Sequence, residues 1–202
     1  PLMFKMGRVQ IFIVGLIVFG IICFGQDFIY LWVGDGFKDS YLCAVLIILP
    51  SLFHLPQMIG NDAIFAANKV KHLAISYVVM AILNLVGAVI LSPKFGALGI
   101  CLSVFIAYMV RTIWMDVIFR KEMDVDVLAF LGKTFGRLAF PMALCLLAGL
   151  IINHFIPFEG WIGLIKCTLF CLAFGVISYT LAMNESEKNL IVALLKKIFK
   201  IK

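Results

Sequence analysis

Six apolar runs of about twenty residues, parted by short polar connections, constrain this chain more than any other feature. They cover about 10–33, 41–66, 73–91, 97–119, 138–155 and 161–183. At a rise of about 1.5 Å per residue, such runs match the roughly 30 Å hydrocarbon core of a bilayer. Within lipid every backbone N–H and C=O needs an internal partner, which leaves helices or closed barrels. The alternation a barrel strand requires is absent, so the expected fold is all-α: a polytopic membrane protein of six transmembrane helices. Composition agrees. The chain is 64% hydrophobic and 14% charged, with mean hydropathy +1.12, where soluble domains are about half apolar and one quarter charged.

The connections carry the orientation. One set receives Lys5, Arg8, Lys69, Lys71, Arg120, Lys121, Lys133 and Arg137, together with Lys188, Lys196, Lys197, Lys200 and Lys202. The opposite set receives only Lys38 and Lys94. Because basic loops stay on the cytoplasmic side, both ends of the chain are expected in the cytoplasm. Between runs, Gly34-Asp35-Gly36 and Pro157-Phe158-Glu159-Gly160 read as turns. At Pro93-Lys94-Phe95-Gly96, proline is expected to end the third helix and glycine to make the turn. A short interfacial helix fits 125–131. Residues 184–202 differ in kind, with Leu190, Ile191, Leu194, Leu195, Ile198 and Phe199 at helical spacing between lysines. That pattern predicts an amphipathic basic helix, either lying on the cytoplasmic leaflet or packed on the bundle.

Several function classes drop out. The net charge of +6 is distributed as membrane-flanking Lys and Arg, so no nucleic-acid partner is expected. The six cysteines form no CxxC pair and stand at no zinc spacing with the three histidines, so neither a metal nor a cofactor is expected. No HExxH, GxSxG or P-loop occurs, and the connections on the less basic side are short. The chain is therefore not read as an enzyme. Its opening Pro-Leu-Met, without an initiating methionine, suggests the C-terminal part of a longer protein.

The second run is unlike the others. It carries Pro50, His54, Gln57 and Asn61 on one helical stripe, with Asp62 beside it and Pro56 within it. Polar groups at membrane depth are costly, and normally face a protein interior or a water-filled cavity. His54, Gln57 and Asn61 thus line either a wet substrate cavity or a dry contact with a neighbouring helix. Arg111 in the fourth run either pairs with Asp62 or Asp116 as structural glue or contacts an anion, since guanidinium matches phosphate geometry. Lys166 in the sixth run is a second cationic candidate. His54 adds a group that titrates near neutrality, and Pro50 and Pro56 are candidate conformational hinges.

The stretches GRVQIFIVGLIVFGIICFGQDFIYLWVGDGF, IILPSLFHLPQMIGNDAIFAANKVKHLA and LSPKFGALGICLS, in that order, carry a resemblance. Gly25 near a helix end, the Trp32-Val33-Gly34 exit, Asn68-Lys69 after the second run, and Pro93-x-x-Gly96-x-x-Gly99 are its marks. Over 7–185 the chain resembles the C-terminal part of bacterial polysaccharide (O-antigen type) flippases. These belong to the multidrug, oligosaccharidyl-lipid and polysaccharide exporter superfamily. The resemblance implies a two-lobed transporter of twelve to fourteen helices in the bacterial inner membrane. Such a protein moves undecaprenyl-diphosphate-linked oligosaccharide across the bilayer by alternating access, coupled to a proton or sodium gradient. Other exporters of the superfamily, for drugs or peptidoglycan precursors, and a membrane enzyme of envelope synthesis are the rival readings.

Overall fold

The structure is a computed structural model and describes residues 2–34, 37–66, 68–123, 132, 143–144, 146–152 and 160–177. These residues are helical apart from short connections, with no strand among them. In order the helices are α1 (Leu2–Val33), α2 (Lys38–Ile48), α3 (Ser51–Ala66), α4 (Val70–Phe95), α5 (Ala97–Met123) and α6 (Gly160–Ile177). Residues 146–152 form a further helical piece.

Four stretches are long and apolar enough to cross a membrane: Val9–Val33, Asp39–Met58, Val70–Phe95 and Ala97–Lys121. They match the first four runs read from the sequence. Of the fifth, only part falls within the described residues, helical at 146–152. The sixth is a shorter apolar helix over Ile165–Ile177 in the described part. The helix foreseen at 125–131 and the basic tail at 184–202 lie outside the described residues.

Local chemistry sets the breaks. The second run divides at Leu49-Pro50 into α2 and α3. Pro50 has no N–H to continue the ladder, and the Pro50 carbonyl restarts it by accepting from the His54 N–H at 3.0 Å. Pro56, by contrast, stays inside α3, so the two prolines differ in effect. Asn68 closes α3 in the left-handed region (φ 56°). Its N–H donates to the Phe65 carbonyl at 3.0 Å and the Lys69 N–H to Ile64 at 3.1 Å, which satisfies two terminal carbonyls.

The connection after α4 departs from the expectation. Pro93 does not end the helix but sits in its last turn, and α4 runs on to Phe95. The stop comes at Gly96, whose φ of +57° and ψ of −134° suit a residue without a Cβ. Proline forbids only its own hydrogen bond and crowds the turn behind it, so the chain can complete the turn it is in.

Packing builds the molecule on two supports. The helices α4 and α5 form an antiparallel hairpin with small residues at the seam. Ser103 Oγ donates to the Asn84 carbonyl at 2.7 Å, and a Cβ on Gly87 would strike Ser103. Such small-residue seams let membrane helices approach closely. Against α1 stand α2, α3 and α6. Val14 and Val18 of α1 bury against Leu52 of α3, while Cys23 and Phe24 meet Phe170 and Phe174 of α6. Phe24 and Phe170 stack edge to face at 5.2 Å, and the Tyr41 hydroxyl of α2 donates to the Ile22 carbonyl at 2.7 Å.

The distribution of polarity runs opposite to that of a water-soluble domain. Val78, Ile82, Leu85, Val86, Val89 and Ile90 of α4 are exposed, whereas Gln57, Asn61, Arg111, Thr112, Asp116 and Lys166 are buried. A contiguous apolar exterior of this extent is untenable in water and natural in lipid.

Candidate functional site

The polar stripe of α3 meets the equivalent stripe of α5. Gln57 and Asn61 stand one turn apart on α3, and Tyr108, Arg111, Thr112 and Asp116 recur every three or four residues along α5. That spacing puts each set on one helix face. Gln57 Nε2 donates to the Thr112 carbonyl at 3.0 Å and to Asp116 Oδ1 at 2.5 Å, so one amide ties the two helices.

One turn away, Arg111 Nη1 lies 2.7 Å from His54 Nδ1. A guanidinium has donors and no acceptor, so Nδ1 must accept and the imidazole is neutral, with its proton on Nε2. The edge of the His54 ring faces Tyr108 at 5.5 Å between centroids. The Arg111 guanidinium also lies over the Tyr77 ring of α4 at 4.0 Å, a cation–π contact in a desolvated setting. Three helices therefore converge on Arg111, which is 2% exposed.

Its coordination is incomplete. Arg111 Nε and Nη2 have no hydrogen-bond partner, and nor do Gln57 Oε1, Asn61 Oδ1 and Thr112 Oγ1. Nε and Nη2 form the side-on edge of the guanidinium, the pair that grips a carboxylate or phosphate in two parallel bonds. Arg111 lies fourteen residues from the start of α5, roughly 21 Å along it and deep within any bilayer it spans. A cation at such depth costs from about 2.5 kcal/mol to well above that, so it calls for a partner.

The candidate residues thus separate. His54, Gln57, Asn61 and Arg111 come together at the α3–α5 contact. Lys166 does not join them. It is buried on α6 with its ammonium 5.8 Å from the Phe24 ring of α1. Of the two carboxylates weighed as partners for Arg111, Asp62 is exposed and Asp116 is held by Gln57, while Arg111 turns to His54 and Tyr77. Pro50 is fully buried where α2 gives way to α3, four residues before His54. Two cavities lie elsewhere. One of about 220 Å³ is bounded by Gln26, Asp27, Tyr30, Phe37 and Tyr41 near the α1–α2 junction. The other, of about 460 Å³, is bounded by His72, Trp114, Val117, Ile118 and Lys121.

Tyr77, Tyr108 and Thr112 were not singled out by sequence reasoning. The three-to-four spacing from Tyr108 to Asp116 was a usable signal for the last two. Nothing in the sequence pairs Tyr77 with Arg111, because that contact depends on how far α4 slides along α5.

Gln57→Ala is expected to cost about 1–3 kcal/mol, since it leaves the buried Thr112 carbonyl without its side-chain donor and weakens the tie to Asp116. Gln57→Glu should cost more, by setting a second carboxylate against Asp116 in a buried place. Thermal unfolding of the purified protein in detergent checks both, and equal melting for wild type and Gln57→Glu would refute this account of the contact.

No known protein family, characterised protein sequence or solved structure matches the chain. What the fold defines is an all-helical protein with four helices suited to crossing a membrane. The buried polar contact between α3 and α5 is its candidate site.

Proposed function

We propose that the chain belongs to a flippase that moves a lipid-linked oligosaccharide across the bacterial inner membrane by alternating access. In this reading it contributes helices of one lobe of a larger two-lobed transporter, with its basic ends in the cytoplasm. The observation that carries the reading is Arg111, a buried cation far from either helix end whose two-donor edge is unoccupied. The order of motifs from Gly25 to Gly99 supports the choice of family.

The mechanism follows from the contacts. With α3 and α5 together, His54 and Tyr77 hold the guanidinium and Gln57 latches the helices. Parting α3 from α5, with movement absorbed at the Pro50 break and at Pro56, turns the free edge of Arg111 toward the diphosphate of an undecaprenyl-diphosphate-linked glycan. Asn61 and Gln57 then have unfilled acceptors for sugar hydroxyls. Lys166, against α1, adds a second cation toward the opposite end. Protonation of His54 would end its acceptor role toward Arg111, which makes a proton the natural coupling cation for release of the guanidinium.

Rescue tests the proposal. The intact protein, expressed in cells lacking their own polysaccharide flippase, should restore surface glycan. Restored drug resistance without surface glycan would assign it instead to the drug-exporting branch.

A further inference from the structure

The 460 Å³ cavity is separate from the α3–α5 contact. It opens between the start of α4 and the last turns of α5. Its floor is apolar, with Ile118 buried and Trp114 and Val117 about half exposed, and its rim carries Lys121 and His72. Lys71, also exposed, stands beside the rim.

Depth decides what can fill it. The membrane-crossing stretch of α5 ends at Lys121 and that of α4 begins at Val70. The rim therefore lies where hydrocarbon gives way to headgroups. Trp114 is seven residues further in, roughly 10 Å toward the bilayer centre. A ligand that satisfies both levels needs a fatty chain below and a negative charge above. The amphipathic indole suits that boundary, and basic pockets between membrane helices attract anionic headgroups.

We infer that this groove binds an anionic glycerophospholipid, with its phosphate against Lys121 and His72 and an acyl chain along Trp114, Val117 and Ile118. The site does not depend on the transport reading. It acts as a contact between the α4–α5 hairpin and the lipid leaflet at the basic end of the molecule.

Native mass spectrometry of the intact protein, released from detergent after titration with phosphatidylglycerol or phosphatidylcholine of identical chains, tests the inference. Wild type should retain phosphatidylglycerol in preference, and Lys121→Gln should lower that preference about fivefold without changing the melting temperature. Trp114→Ala should weaken retention of both lipids. Equal retention of the two lipids by wild type overturns the proposal, as does a preference indifferent to Lys121→Gln. Displacement of phosphatidylglycerol by inorganic phosphate would reassign the groove to a free anion. Stronger retention of a polyprenyl diphosphate would place it on a transport path. Either result also overturns the proposal.

Discussion

Replacing Arg111 with alanine is expected to stop glycan export almost completely while leaving the protein folded. If the free Nε–Nη2 edge receives a phosphate, its loss removes a buried, bidentate, charge-assisted contact. Truncating one partner of such a pair costs about 2–5 kcal/mol, so transport should fall by roughly a hundredfold or more. Stability should move the other way or stay level. The guanidinium is buried with two donors unpaired, and removing a half-satisfied buried charge relieves a desolvation cost. The separation of the two readouts is the point of the experiment. A residue that merely glued helices together would lose stability first and activity as a consequence. Arg111→Lys sharpens it, because an ammonium keeps the charge but not the two-donor edge, and should recover only part of the activity. Surface glycan and membrane abundance measured together in a flippase-deficient cell check this. Normal export by a well-inserted Arg111→Ala protein would end the substrate role.

The largest expected effect on stability comes from a single methyl group. A Cβ on Gly99, in the first turn of α5, would lie 2.6 Å from the Leu91 carbonyl carbon and about as near its oxygen. Both are backbone atoms of α4 and cannot rotate aside as a side chain would. Gly99→Ala must therefore push the hairpin apart at the end where α4 turns into α5. Overpacking of a close contact costs about 1–3 kcal/mol and sometimes more, and an immovable obstacle argues for the upper end. A fall of roughly 10 °C in the unfolding midpoint is the expected readout. Gly20→Ala and Gly175→Ala are the controls, since a Cβ at either meets nothing within 4 Å. They should be neutral or slightly stabilising, because alanine favours the helix. Gly99→Ala melting with the controls would show that the hairpin seam is looser than described.

These glycines show how a weak motif acquires a reason. In the sequence, Pro93-x-x-Gly96-x-x-Gly99 was a spacing that supported a resemblance. In the structure Gly96 takes the backbone angle that stops α4, Gly99 lets α5 start against it, and Pro93 rides inside the last turn. Asn68-Lys69 is similar. It looked like a polar exit from the second run, and it proves to be the left-handed closure of α3. Residues with one special conformational capacity announce turns well, because that capacity is local. The proline was misjudged because its effect depends on where in a turn it falls.

The candidate site was half legible. His54, Gln57 and Asn61 declared themselves through helical spacing within an apolar run, and Arg111 by being a charge where charge is expensive. Those arguments use only a helix period and the cost of burial. The partners did not follow. Arg111 was expected beside a carboxylate, yet meets His54 and Tyr77, and Asp116 goes to Gln57. Lys166 was grouped with Arg111 by charge, and packing sends it to α1.

By itself, then, the sequence determined that these are helices and that long apolar stretches suit a membrane. It also determined which few polar groups require an explanation. Hydrophobic length and period are properties of a segment and need no neighbour. The tertiary structure alone decided which polar groups share an interface and which donors are left open. A shift of one helical turn along α5 would exchange Arg111 for another residue opposite His54 at no cost in hydrophobic pattern. Only the close seam of the α4–α5 hairpin and the break at Pro50 select the register that brings His54, Tyr77 and Arg111 together.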